Sequence, residues 1–165
     1  MISGVAIHPF DPELEWGYVY STARHATAEA YGGRHAARSM INPMVDAVLD
    51  ECASIKVATF AADRNDILAF CATAPDQTTE FLYLRQSLFD EGRARTLKKA
   101  MRSDKPDEVT AARMAMAAEF RVAIEISRAL LGSSLEVTLR RVAPWAVMNV
   151  LPLAGYSVMV VPRAI

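Results

Sequence analysis

Apolar and polar residues follow one another along this chain with periods that predict its elements in turn. Val5 to Ile7 reads as a short strand, ended by Pro9 and Asp11-Pro12. Glu13 to Ala30 then takes the three-and-four spacing of a helix, with Gly32-Gly33 as its stop. Asn42 suits an N-cap and Pro43 a first helical position, and Val45, Val48, Leu49 and Cys52 share one face, so a second helix is expected over 43–52. Ile55 to Ala61 and Ile67 to Thr73 are apolar runs separated by a polar cluster of hairpin length, Ala62 to Asp66. After a second turn at Ala74 to Thr78, Thr79 to Arg85 makes a third strand of the same antiparallel meander.

The second half is richer in helix. Gly92 to Met101 puts Arg93, Arg95, Lys98 and Lys99 outward and Ala94, Leu97 and Met101 inward, until Ser103 to Pro106 breaks the run. From Asp107 to Leu131 the set Val109, Ala112, Met116, Phe120, Ala123, Ser127, Leu130 and Leu131 steps by three and four with no Pro or Gly, which predicts one long helix or two abutting ones. Gly132-Ser133-Ser134 closes it. Leu135 to Val142 reads as a strand, Pro144 to Leu153 as a short helix and Tyr156 to Val161 as a terminal strand. No repeat, low-complexity stretch or linker divides the chain, so one α/β domain over 1–165 is expected.

Composition narrows the function classes. With 165 residues, 52% hydrophobic and 22% charged, the chain can bury a core and lies far from the disordered regime. A net charge of −1 and no long basic run argue against nucleic acid as a partner. No basic leader followed by an apolar stretch, and no uninterrupted apolar span, points to a membrane, so a cytoplasmic location is expected. Cys52 and Cys71 sit in apolar stretches without a basic neighbour and read as core thiols. His8, His25 and His35 have no partner at ligand spacing, so no metal is expected, and Ser87 lies in no Gly-x-Ser-x-Gly pattern. Met114, Met116 and Phe120 form a stripe that reads first as core and second as a partner surface. Trp145 and Tyr156 are candidate anchors of the C-terminal unit.

The order of elements, together with Asp66-Ile67-Leu68-Ala69-Phe70, Phe81-Leu82-Tyr83-Leu84, the run Phe89 to Leu97 and Leu153-Ala154-Gly155-Tyr156, resembles the GNAT (acyl-CoA N-acyltransferase) superfamily over nearly the whole chain. The first half is also similar to GNAT-like proteins encoded by tailed bacteriophages. The resemblance implies a mixed, mostly antiparallel central sheet flanked by helices, with an extra long helix around 107–131. It implies acetyl-CoA held by the turn after the fourth strand, at Leu84, Gly92, Arg93, Ala94 and Arg95. It assigns Glu80 as a base for an incoming amine, although a Glu at a strand start is by default a solvated surface residue.

The loop departs from the family pattern. Phe89 stands where Arg or Gln is expected, and Asp90 and Glu91 bring carboxylates to the place of two phosphates. At ~4 Å such pairs repel by ~1 kcal/mol in water and ~4 kcal/mol at an effective dielectric near 20. As first-turn acids, the same two residues suit the positive end of a helix. Leu151 replaces the tyrosine that protonates the departing thiolate, leaving Tyr83, Tyr156 or solvent for that role. The expectation is a GNAT-like structural or assembly component, virion-associated, without a cofactor and with other protein subunits, phage structural proteins included, as partners. The alternative is an active N-acetyltransferase moving an acetyl group from acetyl-CoA to an amine.

Overall fold

The computed structural model describes residues 4–30, 38–141 and 143–162. The chain runs β1 (Val5–Pro9), α1 (Pro12–Ala30), α2 (Arg38–Glu51), β2 (Ser54–Phe60), β3 (Asp63–Thr73), β4 (Thr79–Leu84), a 3₁₀ turn at Gln86–Leu88, and α3 (Glu91–Ala100). It continues with α4 (Pro106–Glu119), α5 (Arg121–Leu131), β5 (Glu136–Leu139), α6 (Trp145–Leu153) and β6 (Ser157–Val160). The six strands form one sheet in chain order, antiparallel from β1 to β4 and parallel from β4 to β6. The expected α/β class with a mixed central sheet is what the chain adopts.

Alternation along the strands feeds two cores. Val57, Phe70 and Phe81 pack with Val19, Ala23, Ile41, Val45 and Leu49 of α1 and α2. Their neighbours Ala58, Cys71 and Leu82 pack on the other face with Ala94, Met116, Phe120, Ile126, Leu130 and Val150 from α3 to α6. The sheet is thereby covered on both faces between β2 and β4.

One expectation changes, and two that were left open are narrowed. Helix α2 begins at Arg38, so Asn42 is not its N-cap and Pro43 lies inside it. The reason is burial: Ile41, only 2% exposed, continues the Val45 and Leu49 face upstream, while Ser39, whose carbonyl Pro43 leaves unpaired, lies on the exposed side in reach of water. The span 107–131 is two helices that meet at Phe120, whose ring is fully buried and packs on Phe89 at 5.1 Å. Of the methionine stripe, Met116 is core and Met114 is 70% exposed. The Gly32-Gly33 stop, His35 and Val142 lie outside the described residues.

Candidate functional site

Strand β4 carries the site because its two neighbours hold it to different extents. Against β3 it is paired from Thr79 to Leu84. Against β5 it is paired in register only at Thr79 and Leu139, with the Arg140 N–H donating to the Thr79 carbonyl at 2.9 Å. Beyond that point Ala143-Pro144 leads the chain out of the sheet into α6, since proline cannot donate to a ladder. Past the end of β5 the rest of β4 has no partner on that side among the described residues, and a cavity of about 620 Å³ opens between the end of β4 and the start of α6.

The cavity wall comes from four places. Tyr83 and Leu84 line it from β4; Gln86, Phe89 and Glu91 from the following turn; Ala143, Pro144, Ala146 and Val147 from the far side. Thr22, His25 and Ala26, spaced three and four apart on one face of α1, complete it. Phe89 lines the cleft and rests on Phe120 without plugging it. The α1 residues and the Pro144 side were not expected from the sequence. The signal was there in Ala143-Pro144, which ends a strand and forces a departure from the sheet.

At the rim, the start of α3 is ringed by carboxylates. Asp90 is the N-cap and its Oδ1 accepts from the Arg93 N–H at 3.0 Å. The Asp90 N–H in turn donates to Glu119 Oε1 at 2.7 Å, and Glu119 Oε2 lies 3.6 Å from Arg93 Nε. Glu91 pairs with Arg95 at 3.1 Å, and the Arg95 guanidinium lies 4.3 Å from the centre of the Trp145 ring at the start of α6. A helix N-terminus attracts anions through its free N–H groups and its dipole. Here a side-chain carboxylate already sits at that end, and both nearby arginines face acids. Gly92 is exposed, and a Cβ on it would meet only Asp90 Oδ1 at 3.4 Å, an ordinary contact. Ala94 is fully buried in the core under α3.

At the opposite end of β4, Glu80 corrects the surface expectation. Ala72 pairs with Phe81 and Thr73 with Thr79, so Glu80 is the extra residue of a bulge. It is 1% exposed. Its Oε2 faces Arg141 Nη2 at 3.6 Å, and Arg141 also donates to Thr27 Oγ1 at 2.7 Å and lies 4.0 Å from the Phe81 ring. A carboxylate can be buried there because a guanidinium 61 positions later folds over it. Glu80 takes no part in the cavity wall, so the structure separates the expected base from the cleft.

The tyrosines divide likewise. Tyr83 reaches the cleft, edge-on to Tyr18 at 6.2 Å and tilted on Phe70 at 5.8 Å. Burial first, then the neighbouring Tyr83, pushes the Tyr18 phenol well above its ordinary value, so it stays protonated. Tyr156 is buried, donates to the Gly132 carbonyl at 2.8 Å and lines no part of the cavity. Leu151 is wholly core. Among the described residues no group of His, Cys, Asp and Glu is placed to hold a metal, and no helix is long and apolar enough to cross a membrane.

Compared with family models, curated proteins and solved structures, the chain finds no match.

Proposed function

We propose that this chain is a GNAT-like domain that does not use acetyl-CoA and serves as a structural or assembly component. The observation that carries the reading is Asp90, whose carboxylate caps α3 where a cofactor phosphate would have to lie. Glu119 on its backbone N–H and Glu91 on the cleft wall add further negative charge. The separation of Glu80 from the cavity supports the same reading, since a base must reach the proton it takes. A virion-associated role rests on the likeness to phage-encoded proteins and on that alone.

One observation favours the second reading, an N-acetyltransferase: an open cleft lies beside the end of β4, with Tyr83 in its wall. Calorimetric titration with acetyl-CoA separates the two. The expected outcome is no saturable heat. Micromolar binding that Gly92→Trp abolishes would overturn the non-catalytic reading in favour of the enzyme.

A further inference from the structure

Strand β6 ends the sheet, and its outer side has no strand partner among the described residues. Ser157 and Val161 donate inward to the Leu135 and Leu139 carbonyls at 2.7 and 2.8 Å. The backbone groups of Val158 and Val160 therefore point outward. Proteins guard such edges with charge, proline, bulges or a covering element. Within β6 there is no charged residue and no proline, and Pro162 stands two positions past its end. Apolar side chains instead stand exposed along it, Met159 at 62% and Val161 at 38%, with Leu135, just ahead of β5, at 68% behind them.

The charges beside this edge are arranged with a direction. Glu136 pairs in register with Ser157 and Thr138 with Met159, so Glu136 flanks one end of β6. Arg140, on the same face by alternation, flanks the other, its Nη1 3.4 Å from the Val161 carbonyl. Neither Glu136 nor Arg140 forms an ion pair among the described residues.

The geometry points to a second copy of this chain as the occupant of the β6 edge, paired antiparallel about a two-fold axis at Met159. In that register Val158 of one copy and Val160 of the other exchange the outward hydrogen bonds. Met159 meets its own counterpart in the closely spaced, non-hydrogen-bonded position. Ser157 lies opposite Val161, which brings the Glu136 end of each copy to the Arg140 end of the other. Parallel pairing would set like charge beside like. The two six-stranded sheets become continuous through one isologous interface. An interface built on so short a strand is small, so the dimer dissociates in the range of about 1–100 µM. The inference stands on the sheet edge and is independent of whether the cleft takes acetyl-CoA.

Sedimentation equilibrium of the full chain across that range tests it. The wild type is expected to be a monomer–dimer mixture. Met159→Lys, which places two ammonium groups face to face at an already exposed position, should raise the dissociation constant by at least about tenfold with an unchanged circular dichroism spectrum. Glu136→Arg and Arg140→Glu should each weaken the dimer, and the double exchange should restore it. A wild type that stays monomeric throughout overturns the proposal. So does a dimer indifferent to Met159→Lys, or charge exchanges that fail to compensate.

Discussion

Glu80 near the start of β4 and Asp90 at the start of α3 are carboxylates toward opposite ends of one strand–turn–helix segment, and the fold treats them in opposite ways. Glu80 is taken out of water and matched by Arg141, which also ties the segment just past β5 to Thr27 of α1. Asp90 stays exposed and satisfies the first turn of α3. One acid pays for its burial with a partner brought from a distant strand; the other is held by its own helix. Both arrangements serve the framework: one carboxylate is held in the pair with Arg141, the other caps the first turn of α3.

The largest effect expected from breaking this contrast is at the buried end. Arg141→Met removes the guanidinium facing a carboxylate that is 1% exposed and should destabilise the chain by about 3–5 kcal/mol in urea unfolding. Adding Glu80→Leu should recover most of that loss, because two apolar groups replace the pair without stranding a charge. A single mutant close to wild type would mean that Arg141 does not compensate the buried carboxylate of Glu80.

At the exposed end the effect is smaller. Asp90→Ala removes a helix cap and should cost about 0.5–2 kcal/mol, whereas Asp90→Ser, which can still accept from the Arg93 N–H, should cost little. Equal losses for Ala and Ser would show that charge, rather than capping, is what Asp90 contributes.

The smallest effect lies between the two ends, at Tyr18. Its folded pKa is raised above the ordinary value of 10.0, chiefly by burial. The folded chain therefore keeps the proton where the unfolded chain releases it. Tyr18 adds stability that is whole below about pH 10 and declines above it. Tyr18→Phe should shallow the fall in Tm on the alkaline side and leave neutral pH unaffected in slope. An unchanged alkaline slope would count against the burial of this phenol.

The periodicities carried most of the fold. The meander, the α3 facing and the covered core follow from local alternation that burial reinforces. Pro43 misled because a local helix-start signal competed with Ile41, whose burial is a tertiary event. The cleft was half legible: Asp90 as a cap could be read from its place before a helix. The burial of Glu80 could not, because it depends on a register slip at Ala72 and Thr73 and on Arg141 far along the chain. The α1 wall was hidden for the same reason, since Thr22, His25 and Ala26 become neighbours of Tyr83 only when α1 packs over the sheet.

In the proposed function, the acids at its rim deny the open cleft to acetyl-CoA. Titration of the Asp90→Ser/Glu91→Gln double variant beside the wild type tests it most directly, with helix capping preserved and two negative charges removed. No saturable binding to the wild type is expected, and measurable binding to the variant, a gain of at least about tenfold. Wild-type binding in the micromolar range that the double variant does not improve would contradict it.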